Sequence, residues 1–74
     1  MSLDVFLNQA KDLGRKAAKA RYQRDESLAS FFRESLRKIK AVLINREDKR
    51  SIETAYCMAY REEYQSLSPN CRPN

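Results

Sequence analysis

Residues 27–44 read SLASFFRESLRKIKAVLI and have the periodicity of an amphipathic helix. At about 100° per residue, the apolar side chains share one wide face, and Arg33, Arg37 and Lys40 lie largely opposite. That face consists of Leu28, Phe31, Phe32, Leu36, Ile39, Val42 and Leu43. Because such a face is unfavourable in water, we expect the flanking segments or a second copy of the chain to cover it.

The length and composition of the chain predict one small all-α domain. It has 74 residues, a net charge of +5, one glycine, and two prolines that both fall in the last six residues. Alternating apolar runs and hairpin turn signals are lacking, so strands are not expected. A chain this short has a marginal core, which favours a homodimer. We therefore expect a small antiparallel three-helix unit in residues 1–68, as a single copy or a dimer, followed by a flexible C-terminal tail in residues 69–74.

The predicted helices span residues 4–22, 26–44 and 47–67. In the first, Ala10, Gly14 and Ala18 are spaced four apart, which would allow a second helix to approach closely. Alternatively, Gly14 ends a short helix at Leu13.

Two features mark the boundaries of the middle helix. A single helix through residue 25 is geometrically possible, but Asp25 is a good N-cap and favours a turn. Beyond residue 44, the apolar residues no longer fall on the same face of the helical wheel, so a second bend is expected near Asn45. Asparagine is a residue type that both ends and caps helices.

Enzyme chemistry is poorly supported. The chain has no histidine, and it has no P-loop, dinucleotide-binding or paired metal-ligand motif, so no catalytic, metal or cofactor site is expected. Cys57 is expected to be a small half-buried hydrophobe, with a reactive thiol as the remote alternative. A Cys57–Cys71 bridge is disfavoured because the intervening tail is too short to double back easily. Without a long apolar run or a signal-peptide pattern, we expect no membrane contact and a cytoplasmic protein.

The positive charge is concentrated in the first helix, since residues 1–24 carry six basic and two acidic residues. Lys11, Arg15 and Lys19 form a ridge at spacings of four, and Lys16 lies on another side. The cluster is either a solvated helix face or a site that binds nucleic acid with little sequence selectivity.

A row of tyrosines and one misplaced carboxylate mark the third helix. Tyr56, Tyr60 and Tyr64 recur every four residues and either fill the edge of the core or anchor a protein partner. Glu63 falls on the apolar face, so either the helix leaves the bundle before residue 63 or Glu63 pairs with Arg21.

These patterns predict a non-enzymatic interaction module, a protein-binding regulator with Tyr56, Tyr60, Glu63 and Tyr64 as partner-binding candidates. The alternative is a small basic nucleic-acid-binding protein that uses Lys11, Arg15, Lys16 and Lys19 of the first helix. The remote third alternative is an enzyme or a thiol-redox protein that uses Cys57.

Overall fold

The computed structural model describes residues 3–67, which form three α-helices joined by two short turns. Helix α1 spans Leu3–Tyr22, α2 spans Glu26–Ala41 and α3 spans Arg46–Leu67. The predicted three-helix all-α fold is confirmed. The predicted tail in residues 69–74 and the disfavoured Cys57–Cys71 bridge lie outside the described residues.

The first turn confirms the predicted break before Asp25. Arg24 has a left-handed backbone with φ of 60°. The Arg24 N–H bonds the Arg21 carbonyl at 3.0 Å, and the Asp25 N–H bonds the Ala20 carbonyl at 2.8 Å. This pattern is a Schellman C-cap, which satisfies the last carbonyls of α1. The Asp25 carboxylate then accepts from the Leu28 N–H at 3.1 Å and caps α2, so one continuous helix is excluded.

The second turn begins earlier than predicted. Helix α2 ends at Ala41 rather than at residue 44. The N–H groups of Val42 and Leu43 bond carbonyls only three residues back, at 3.3 and 3.2 Å. The extension to residue 44 is wrong because the helical hydrogen bonding stops there and Asn45 already caps α3: its side chain accepts from the Glu47 N–H at 2.8 Å. Residues 42–44 therefore form the connection.

Helices α1 and α3 form the closest pair, and Gly14 lies at their crossing. A Cβ built on Gly14 would lie 2.5 Å from the Tyr56 carbonyl oxygen and 3.2 Å from the Ala59 Cβ. Ala10 and Ala18, one turn away on each side, are fully buried. The close approach predicted from the four-residue spacing is therefore confirmed, and the alternative that Gly14 ends a helix is wrong.

The contacts of α1 fix the directions of the chain. Ala10 shares the core with Ile52, Gly14 meets Tyr56, and Tyr22 meets Tyr64, so α1 and α3 run the same way. Helix α2 contacts α1 far more than α3. A salt bridge of 2.8 Å between Lys40 and Glu53 joins α2 to α3.

The core is smaller than the sequence pattern suggests. Its buried centre is formed by Ala10, Leu36 and Ile52, one residue from each helix. Packed around this centre are Leu3, Phe6, Leu7, Leu13, Ile39, Leu43, Ala55 and Tyr56.

Helix α2 buries only one edge of its apolar face. Leu36 is 7% exposed, but Leu28 is 40%, Phe31 62% and Val42 65% exposed. Of the two predicted covers for this face, residues 3–67 of the same chain therefore supply only part, and cover by a second copy stays a prediction. The reason is geometric. Helices α1 and α3 contact each other through small residues, so the groove between them is shallow. Only part of the surface of α2 fits into this groove.

Candidate functional site

All four tyrosines of the chain form one row at the end of the bundle that carries Tyr22. The Tyr56 and Tyr60 rings stack with centroids 6.2 Å apart, and the Tyr60 and Tyr64 rings stack at 6.1 Å and 9°. Tyr22 meets Tyr64 edge to face at 6.1 Å. Tyr56 and Tyr60 are half-buried and Tyr64 is exposed, as the helical phase predicted. We call this cluster the tyrosine row.

A cleft of about 430 Å³ lies between the tyrosine row, the first turn and α2. Its lining combines three basic residues with two rings of the row, and we call it the arginine–tyrosine cleft. It is lined by Ala17, Arg21, Arg24, Asp25, Glu26, Ala29, Ser30, Arg33, Tyr56 and Tyr60.

The arginines of this cleft are not neutralised by pairing. Within residues 3–67, no carboxylate lies within 4.0 Å of the guanidinium groups of Arg21, Arg24 or Arg33. The Asp25 carboxylate already accepts the capping bond from the Leu28 N–H. The Asp25 and Glu26 carboxylates also line the cleft, so it presents three unpaired guanidinium groups, two carboxylates and two aromatic rings. Arginine and tyrosine are residue types that dominate binding hot spots.

The electrostatics of Tyr56 reflect this position. Burial raises the pKa of the Tyr56 phenol above its ordinary value of 10.0, and the nearby Arg33 charge acts in the opposite direction. Burial dominates because it disfavours the phenolate more than one partly solvated guanidinium favours it. Arg33 and Tyr56 are thus electrostatically linked across α2 and α3.

Arg21 and Glu63 do not pair. Arg21 lines the arginine–tyrosine cleft, whereas Glu63 lines a second cleft, with Lys11 and Arg15, on the other flank of α3. The predicted Arg21–Glu63 pair is wrong because helical wheels drawn separately do not give the relative rotation of two helices. The rival explanation also fails, since α3 still contacts α1 at Tyr64. Glu63 is half-buried and lies apart from the arginine–tyrosine cleft.

The basic residues of α1 do not form one clear surface. Lys16 pairs with Asp12 at 3.0 Å. Lys11 and Arg15 line the second cleft together with the carboxylates of Glu62 and Glu63. Lys19 is exposed and has no ion-pair partner within the described part of the chain. The positive potential of the predicted ridge is therefore reduced over most of its length.

Other chemistry finds little support within residues 3–67. Cys57 is exposed, so the expected half-burial of this side chain is wrong. No group of three metal-ligating side chains occurs in this part of the chain. None of the three helices has the length and apolarity required to cross a membrane.

Sequence reasoning identified the tyrosines but missed the arginines beside them. Arg21 was considered only as a partner of Glu63, and Arg33 only as a residue opposite the apolar face of the second helix. Arg24 was given no role. The available signal was the turn itself, because a reversal at residues 23–25 brings the end of α1 beside the start of α2. Comparison of the chain with protein-family models, curated proteins and solved structures gave no match.

Proposed function

We propose that this protein is a non-enzymatic interaction module, a cytoplasmic regulator that binds an acidic segment of a partner protein in the arginine–tyrosine cleft. The observation that carries this proposal is the convergence of Arg21, Arg24 and Arg33 without carboxylate partners. Guanidinium groups form strong, often bidentate hydrogen bonds with carboxylates. Tyrosine rings beside them add apolar contact area with a polar tip, so a short acidic segment fits the cleft chemically.

The backbone at Arg24 supports a binding role. Arg24 is the C′ residue of α1 and has φ near 60°, a conformation that favours glycine. A larger residue in this conformation lowers the stability of the fold by roughly 1–2 kcal/mol. Arg24 also lines the cleft. A strained residue at the edge of a cleft is a reasonable indication of function, since glycine would serve the turn better.

A nucleic-acid ligand is the rival and is supported less well. Proteins that bind single strands present open aromatic faces on which bases stack. Here Tyr60 has ring neighbours on both sides, Tyr56 and Tyr64, so a base would compete with these two rings for its faces.

Tyrosine fluorescence provides a direct test, because the chain has no tryptophan and all four tyrosines belong to the row. We expect a hexaglutamate peptide to change this emission saturably at low salt and less at high salt. Arg33→Gln should weaken binding about tenfold, as loss of one charged contact would. Lys11→Gln, which removes the same charge from the other cleft, should leave binding unchanged.

Two outcomes contradict the proposal. One is the absence of any response to hexaglutamate at low salt. The other is stronger, steeply salt-dependent binding of an oligothymidylate that Lys11→Gln or Lys19→Gln abolishes, which would establish nucleic-acid binding through α1.

A further inference from the structure

The outward edge of α2 carries a stripe that residues 3–67 cover only in part: its apolar members Leu28, Phe31 and Val42 are 40%, 62% and 65% exposed. We define the α2 stripe as Leu28, Phe31, Ser35 and Val42. Leu28 and Val42 lie seven residues on either side of Ser35, and Val42 keeps helical dihedral angles of −85° and −7° although it follows the last helical residue. The stripe is therefore continuous along the helix. Arg33 points to the opposite side of α2, so the stripe and the arginine–tyrosine cleft are separate surfaces.

We propose that the α2 stripe binds the α2 stripe of a second copy of this chain, with the helices antiparallel and a two-fold axis at Ser35. In this arrangement Leu28 lies opposite Val42 of the second copy. Phe31 lies at the level of Ile39 of the second copy, because both are four residues from Ser35; Ile39 is half-buried beside the core and borders the stripe. The stripe is thus complementary to itself, which is the requirement for a closed two-fold dimer.

Ser35 suits the crossing point of two helices. Its side chain is small, so the two backbones can approach closely there. Its hydroxyl already donates to the Phe31 carbonyl at 3.1 Å. Burial of Ser35 therefore leaves no donor without an acceptor, and the cost of burying an unsatisfied polar group is avoided.

Charges beside the stripe favour this direction of pairing. Because successive residues are about 100° apart around a helix, Glu34 and Lys38 lie along the same edge of α2. In an antiparallel pair, equivalent edges meet, so Glu34 approaches Lys38 of the second copy and the contact occurs twice by symmetry. Glu34 has only a 3.8 Å contact with Arg37 in the single chain, and Lys38 has no ion pair among the described residues.

The size of the surface sets the strength of the dimer. Helix α2 has 16 residues and is therefore about 24 Å long. One helix pair of this length buries less than a standard interface of roughly 1,600 Å². We therefore expect a dimer that dissociates in the micromolar range, with stability that rises with protein concentration.

Analytical ultracentrifugation of a charge-exchange series tests the proposal. Between about 1 µM and 1 mM, the wild type should change from monomer to dimer. Glu34→Lys and Lys38→Glu should each raise the dimer dissociation constant about tenfold, because each replaces two attractive contacts by two repulsive ones. The double variant should restore wild-type association. Glu62→Lys, the same charge change on exposed α3 surface, should leave the dissociation constant unchanged.

Three results would overturn the proposal. A wild type that stays monomeric throughout this range excludes the dimer. Dimerisation that is insensitive to both single variants places the interface elsewhere. Single variants that weaken the dimer without recovery in the double variant exclude the antiparallel contact of Glu34 with Lys38.

Discussion

At the scale of single residues, the partner of each charged side chain depends on its location in the bundle more than on its residue type. Arg37 and Lys16 have carboxylate partners on their own helices, whereas Arg33 lines the same cleft as Tyr56 of α3. Exposed pairs such as Lys16–Asp12 contribute only about 0.2–1 kcal/mol each. The arginines without such partners are therefore more informative about function than the ion pairs.

The raised pKa of Tyr56 predicts a loss of stability at alkaline pH. The folded protein holds the Tyr56 proton more tightly than the unfolded chain does, so this contribution is complete below about pH 10 and is lost as the pH rises through the folded pKa. The free energy of unfolding, from urea titrations at about pH 9 and pH 11, should fall less in Tyr56→Phe than in the wild type.

Arg33→Gln provides the complementary change. Removing the charge that lowers the pKa of Tyr56 should raise that pKa further and steepen the alkaline loss of stability. Equal losses in the wild type, Tyr56→Phe and Arg33→Gln would mean that Tyr56 titrates as it does in the unfolded chain.

At the scale of helices, the local signals in the sequence predicted most boundaries correctly. Asp25 and Asn45 cap the two later helices with side-chain bonds of 3.1 and 2.8 Å, as their residue types suggest. The error at the end of α2 has a clear cause. Val42, Leu43 and Ile44 continue an apolar pattern, but apolar periodicity does not show where the backbone hydrogen bonding stops.

The contact between α1 and α3 predicts the effect of a methyl group at Gly14. Gly14→Ala should improve helix propensity by about 1 kcal/mol. It would also place a Cβ 2.5 Å from the Tyr56 carbonyl oxygen, and a backbone atom cannot move aside without separating the helices. We therefore expect a net destabilisation of about 1–3 kcal/mol in urea unfolding.

Asn8→Ala is the matched control for Gly14→Ala. Asn8 is exposed on the same helix, so its replacement changes helix propensity alone and should stabilise the protein slightly. If Gly14→Ala also stabilises the protein, then α1 and α3 do not touch at this point.

At the scale of the whole molecule, the sequence predicted the number and order of the helices but not how they share the core. The apolar face of each helix could be identified from the sequence. The relative rotation of the helices, however, depends on which pair packs closest, and the sequence does not show this. Gly14, Ala18 and Ala59 let α1 and α3 pack closest, so α2 occupies a shallow groove. For the same reason Arg21 and Glu63 lie on different flanks, and the arginine–tyrosine cleft could not be recognised before the turn was known.

The resulting molecule has two surfaces with different chemistry on opposite sides of α2. The arginine–tyrosine cleft is charged and aromatic, and the α2 stripe is apolar. A self-association surface and a cleft for an acidic partner are compatible on one small domain because neither blocks the other. Such an arrangement would allow a dimer to present two equivalent clefts.

The sharpest measurement compares Leu36→Ala with Phe31→Ala in urea unfolding at about 1 µM, where little dimer forms. Leu36 is buried and Phe31 is largely exposed, so Leu36→Ala should cost about 2–4 kcal/mol and Phe31→Ala less than about 1 kcal/mol. Phe32→Ala and Ile39→Ala, at half-buried positions, should fall between them. If Phe31→Ala costs as much as Leu36→Ala, then the whole apolar face of α2 is buried in the folded chain, and no stripe is left for a second copy.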